Sequence, residues 1–205
     1  VSNVFKPARA TSADSKPAKA KGERSSTVRI ISGNLRGSKL AVPERDGLRP
    51  TPDRLRETLF NWLRPCLHGA RVLDAFAGTG ALGIEALSQG AAHATFVEAD
   101  AELAKALEGN LKRLKQSSAK VLNGSFERLA GTLIGPFDLV FLDPPFALEL
   151  WKSAFQKACQ HGLLAPGAWI YLEWPGEQAW PLADLPPLKS ARAGRSHGGL
   201  TRLPQ

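Results

Sequence analysis

The stretch Val72-Leu73-Asp74-Ala75-Phe76-Ala77-Gly78-Thr79-Gly80 decides how this chain folds. Apolar residues run into an acid, two glycines bracket a tight turn, and Ala81-Leu82-Gly83-Ile84-Glu85-Ala86-Leu87 follows with helical spacing. The pattern predicts a buried strand, a glycine turn and the start of a helix. Glycine permits positive φ and lets a ligand approach main-chain N–H groups. The first turn of the helix adds unpaired donors and partial positive charge, so this turn can cradle part of a nucleotide-like molecule.

Outward from the turn, strands and helices alternate. Residues 94–100 read as a second strand ending in acids, and 101–115 as an amphipathic helix with a basic end. Residues 121–126 read as a third strand and its loop, 137–142 as a fourth strand, 147–160 as a helix and 168–174 as a buried strand. This order predicts an α/β fold, a doubly wound Rossmann-like sheet with helices on both faces. Residues 175–187 are proline-rich loop, and 188–203 read as a closing hairpin with His197 in its turn. There are no internal repeats.

The choice of ligand turns on Asp74. Gly78, Gly80 and Gly83 match the G-x-G-x-x-G spacing of dinucleotide sites, which suit a pyrophosphate. An acid at the strand end, four residues before Gly78, repels a pyrophosphate and suits a cationic amino-acid end, such as that of S-adenosylmethionine. Glu98, at the end of the next strand, is placed to accept both ribose hydroxyls, as it would be for NAD too.

Composition narrows the classes. At 205 residues, one α/β domain with a small extension is expected. Cys66 and Cys159 lie far apart and the four histidines show no ligand spacing, so neither a metal site nor a disulfide framework is expected, and a reducing cytoplasm fits. No apolar run approaches membrane length, so no membrane association is expected. Net charge is +8, and residues 1–56 hold thirteen of the 27 Lys/Arg but only five of the 19 Asp/Glu. The excess therefore sits at the front, as a polyanion-binding enzyme needs.

That front divides into three parts. Residues 1–26 lack large apolar residues and are expected to be a disordered basic tail. Residues 27–47 read as a small basic β-hairpin projecting Arg29, Arg36 and Lys39 toward RNA phosphates. From residue 48 the catalytic domain begins, with Thr51 as N-cap of a helix, Pro52 at its first position, and Arg49, Arg54 and Arg56 gathered near its start. Arginine there opposes the helix dipole and implies a local anion, either a substrate phosphate or an acid of the protein.

The second chemical signal is Asp143-Pro144-Pro145-Phe146 after the fourth strand. Two prolines remove donors and stiffen the turn. The exocyclic amine of a nucleobase is conjugated with its ring and is a poor nucleophile. Donating its N–H groups to the Asp143 carboxylate and the Pro144 carbonyl would turn its lone pair toward a methyl donor. Phe146 would stack on the base, a contact worth about 1–3 kcal/mol.

The run from Asp74 to Gly80 together with Asp143-Pro144-Pro145-Phe146 resembles the amino-methylating methyltransferases of Rossmann-like fold. Arg29-Ile30-Ile31-Ser32-Gly33 and the run from Arg49 to Leu63 resemble more narrowly the bacterial 16S ribosomal RNA guanine-N2 methyltransferases of RsmD type, over residues 27–204. The resemblance implies transfer of a methyl group from S-adenosylmethionine to the N2 amine of a guanine in small-subunit ribosomal RNA, by a monomer acting on the RNA or the small ribosomal subunit. It implies that Asp74, Phe76, Gly78, Gly80 and Glu98 hold the cofactor, with Ser125 and Phe126 at its adenine. The chain departs from the family pattern at Ser125, where an acid is usual, and at His197, where an aromatic is usual. Alternatives are an adenine-N6 or cytosine-N4 methyltransferase of DNA or RNA, a non-catalytic RNA-binding assembly factor, and an NAD-dependent oxidoreductase.

Overall fold

The computed structural model describes residues 26–43 and 51–205; residues 1–25 of the expected tail and Arg49 lie outside them. An antiparallel pair, β1 (Ser26–Arg29) and β2 (Lys39–Val42), precedes helix α1 (Asp53–Leu63). Then come β3 (Arg71–Asp74), α2 (Ala81–Ser88), β4 (His93–Glu98), α3 (Ala101–Arg113), β5 (Ala119–Asn123) and the short α4 (Phe126–Leu129). β6 (Phe137–Leu142), α5 (Trp151–Gln160), β7 (Leu164–Pro175), β8 (Lys189–Ala193) and β9 (Ser196–Arg202) follow.

Strands β3 to β9 form one sheet in the order β5-β4-β3-β6-β7-β9-β8. The first five run parallel, and β9 and β8 add an antiparallel edge. The chain winds outward from β3 through β4 to β5 and then returns to β6 on the other side of β3. The winding direction therefore reverses between β3 and β6, and beyond the strand C-termini at such a reversal is where open α/β sheets generally bind ligands.

Both faces of the sheet are covered because successive strand side chains point to opposite sides. Val72, Phe96, Phe141 and Tyr171 pack with α1, α2 and α3 through Leu59, Ile84 and Leu107. Their neighbours Leu73, Val97, Val140 and Ile170 pack on the other face with Phe126, Trp151 and Ala154. No helix among the described residues is long and apolar enough to cross a membrane.

The N-terminal hairpin is docked on the first face rather than free. Val28, Ile30, Leu40 and Val42 are buried in that core. Glu85 accepts the N–H groups of Ile31 and Ser32 at 2.8 and 2.7 Å, and Asn110 of α3 exchanges two hydrogen bonds with the Ala41 backbone. Helix α1 contributes Arg56, whose Nη2 donates to the Arg29 carbonyl at 2.9 Å and to Asp53 at 2.7 Å. Its Nη1 lies 3.9 Å from Glu85.

Three local expectations are corrected. Arg56 is 0% exposed, so it cannot reach RNA; the anion implied by its place near the helix start is protein carboxylate, Asp53 and Glu85. Thr51 does not cap α1: Pro52 occupies the cap position without a side-chain bond, and the Thr51 hydroxyl is drawn instead to Glu173. His197 is a strand residue, paired with Trp174 across β7 and β9, and the turn falls at Gly194 and Arg195. Its ring meets the Trp174 ring edge-on at 5.4 Å, so it takes an aromatic's packing place.

Candidate active site

Strand β3 ends at Asp74, which is only 2% exposed. Its Oδ2 accepts the N–H of Gly83, 3.0 Å away in the first turn of α2. The carboxyl thus reaches past the glycine turn and ties strand to helix. Burial pushes its pKa up to about 7, with the Glu98 charge adding to the rise. No ion-pair partner faces it among the described residues. A buried acid left without a cation is suited to a cationic ligand.

The turn between β3 and α2 needs its glycines. Gly80 has φ of 75°, and a Cβ there would overlap Leu107 of α3. A Cβ at Gly83 would overlap the Phe96 ring on β4, so the third glycine serves close packing of helix on sheet. Gly78 donates its N–H to Glu98 Oε2 at 2.6 Å, while Glu98 Oε1 accepts from Asp100 N at 2.8 Å. Glu98 therefore pins the glycine turn to the end of β4, and each oxygen keeps a second lone pair for a ligand hydroxyl. Asp100 caps α3 by accepting the N–H groups of Glu102 and Leu103.

The loop after β5 joins the same edge, since Gly124 donates its N–H to the Glu98 carbonyl at 2.9 Å. Ser125 is exposed there. Phe126 is not a ligand surface: its ring is buried in the core, packed against half-buried Phe76 at 5.9 Å between centroids. Half-buried Phe76 and exposed Ser125 remain accessible beside it, which corrects the expectation for Phe126. Its position as the first residue of α4 turns its side chain inward.

Asp143 follows β6, two residues past Phe141, the partner of Asp74 in the parallel register. Pro144 is buried, Pro145 exposed, and Phe146 half-buried against Trp151 at 6.1 Å. Asp143 itself is half-buried, and loss of water around its carboxyl pushes it well above the usual carboxylate range, as do the charges of Glu173 and Asp74. Glu173 was not singled out from the sequence. It is the one acid in the apolar run of β7 and lies two residues before that strand's end at Pro175. Burial carries its pKa to about 7, against the pull of the Thr51 and Tyr171 hydroxyls and the Arg56 charge.

The exposed cations Arg29, Arg36, Lys39 and Arg54 belong to the hairpin and the start of α1. A cavity of about 380 Å³ lined by Cys66, His68, Asp138, Trp169 and Arg202 lies at the opposite, N-terminal edge of the strands, away from Asp74 and Asp143. Among the described residues no group of three or more His, Cys, Asp or Glu is placed to hold a metal ion.

The family described as conserved hypothetical protein 95 matches residues 28–198. The chain is 50% identical over 158 residues to the ribosomal RNA small subunit methyltransferase D of Haemophilus influenzae, covering 75% of this chain and 80% of the relative. The protein of that name from Escherichia coli is 48% identical over 160 residues, covering 77% and 79%. The solved structure of Escherichia coli yhhF superposes with a TM-score of 0.78 at 42% identity, over 88% of this chain and all of that one. With a family match across the hairpin, the glycine turn and the Asp143 loop together, the chain belongs to the conserved hypothetical protein 95 family, the family of the RsmD-type methyltransferases.

Proposed function

We propose that the chain transfers a methyl group from S-adenosylmethionine to the exocyclic N2 amine of a guanine in small-subunit ribosomal RNA, as a cytoplasmic monomer. One observation carries the reading: the Asp143-Pro144-Pro145-Phe146 loop stands beside the buried Asp74, which no cation among the described residues pairs, at the point where the sheet reverses its winding.

The residues suit the cofactor. Asp74 offers a desolvated carboxyl to an ammonium group, the turn from Gly78 to Gly80 offers a close main-chain surface, Glu98 offers acceptors to ribose hydroxyls, and Phe76 offers an aromatic edge. When bound, S-adenosylmethionine supplies a methyl group activated by a sulfonium. The protein's own part is positioning and charge. Asp143 and the Pro144 carbonyl accept the N–H groups of the target amine, Pro145 stiffens the loop, and Phe146 stacks on the base. Arg29, Arg36, Lys39 and Arg54 take phosphates and hold the RNA in register. Arg49 belongs to the same proposal by its place in the sequence.

The test is mass spectrometry of ribosomal RNA nucleosides from cells with and without the protein, joined to transfer assays on small subunits, naked ribosomal RNA and duplex DNA. N2-methylguanosine lost with the protein and restored by wild type, but not by Asp143→Ala with intact cofactor binding, is expected. A methylated adenine or cytosine, or full activity in Asp143→Ala, would overturn the assignment.

A further inference from the structure

Glu173 lies near the C-terminal end of β7, beside the strand that delivers Asp143. Phe141 pairs with Tyr171 and Leu142 with Leu172, so the parallel register sets Glu173 next to Asp143. Neighbouring strands are about 4.8 Å apart, and residues two apart share a face. Phe141 and Tyr171 both point into the α1–α3 core. Asp143 and Glu173 therefore leave their strands on that same face, as does Asp74, two residues after Val72.

The Glu173 side chain is 3% exposed and held from several directions. Tyr171 donates its hydroxyl to Glu173 Oε1 at 3.1 Å, and the Thr51 hydroxyl donates from the entry to α1. The buried Arg56 guanidinium faces it with its charge. Trp151 of α5 donates its indole N–H to the Glu173 carbonyl at 2.6 Å. On the opposite strand β9 its partner is Gly198, where a Cβ would overlap the Tyr171 hydroxyl. That glycine keeps the phenol seated, and β9 brings no charge to the pair.

We propose that Glu173 is a positioning residue for the methyl transfer: held on the neighbouring strand, it places a carboxylate beside Asp143 that readies Asp143 to accept the proton the target amine must shed. The inference rests on the functional reading above. As the N–C bond forms and the methyl–sulfur bond breaks, sulfur keeps the bonding electron pair. The nitrogen, having given its lone pair, must lose one proton; the Asp143 carboxylate takes it and later releases it to water. A solvated carboxylate is a weak base at neutral pH. An anion alongside raises the proton affinity of its neighbour. Burial disfavours the charged form of Glu173, and Thr51, Tyr171 and Arg56 oppose that burial by favouring it. Asp143 faces the Glu173 and Asp74 charges, both of which favour its protonated form. Asp143, in its carboxylate form, is thus the stronger base of the pair.

The experiment is Glu173→Gln, which keeps the acceptor for Tyr171 and Thr51 and removes the charge. Methyl transfer is measured against pH on the RNA substrate, with Glu173→Asp as the charge-retaining comparison. The expected result is a fall in plateau kcat of about ten-fold or more, with cofactor KM within about two-fold of wild type. The acidic limb should move about one pH unit lower, and Glu173→Asp should restore part of both effects. A folded Glu173→Gln with wild-type kcat and an unmoved limb overturns the proposal. So does a variant that loses only thermal stability.

Should Glu173→Gln fail to fold, carboxyl 13C titration of the wild-type chain decides instead. Coupled titration of Asp143 and Glu173 above the usual carboxylate range supports the pairing, and two independent ordinary titrations refute it. A wild-type chain that transfers no methyl group overturns the functional reading itself, and the carboxyl titration then judges the pairing separately.

Discussion

Asp74→Asn should make the ligand-free protein more stable at neutral pH while weakening it as a cofactor-binding protein. The Asp74 carboxyl is held at about 7, against an ordinary 3.8. Between these values the native state keeps a proton that the unfolded chain has lost. Stability from this group is therefore complete below about pH 4 and declines as pH rises toward 7. Roughly three pH units at about 1.4 kcal/mol each give at most about 4 kcal/mol. Asparagine keeps an acceptor for Gly83 and does not titrate. The variant should exceed wild type by only about 1 kcal/mol near pH 4.5 and by up to about 4 kcal/mol at pH 7.5, or roughly 8–16 °C in Tm. His93 works in the opposite direction, since burial lowers its pKa, but it is common to both proteins and cancels in the difference. Denaturant unfolding at pH 4.5, 6 and 7.5 measures the gap, and isothermal calorimetry measures S-adenosylmethionine binding. A gap that does not change with pH would refute the reasoning.

Three further outcomes are expected. Gly83→Ala should cost about 1–3 kcal/mol in urea unfolding, because its methyl group would overlap the ring of Phe96, which is fully buried. Arg56→Ala should lose about 3–5 kcal/mol of stability by stripping the buried Glu85 and the hairpin of their cation, whereas Arg54→Ala should leave stability within about 0.5 kcal/mol. Filter binding of RNA across salt concentrations should separate the same pair: Arg54→Ala weakens affinity and lowers the salt slope by roughly one. Phe146→Ala should raise the KM for RNA by the equivalent of about 1–3 kcal/mol while leaving cofactor affinity unchanged, as measured in steady-state transfer assays.

The linear order of residues was enough for the winding of the sheet and for both chemical turns. Strand, glycine turn and helix leave local signatures of periodicity and conformation, and Asp74, Glu98 and Asp143 each stand where an apolar strand stops. Segment ends were less legible, because capping depends on which partner a side chain meets: Thr51 turned to Glu173 rather than to its own helix. Distance along the chain hid the rest. Arg54 and Arg56 look alike in sequence, yet helical geometry sends one to solvent and the other 0% exposed beneath the hairpin, against Glu85 from an element 29 residues away. Phe126 read as a ligand contact and became core because its loop turned directly into a helix. Glu173 passed as one polar residue in a buried strand. Only the placing of β7 beside β6 set its carboxyl against that of Asp143, since charges are coupled by distance in space and by the loss of water between them.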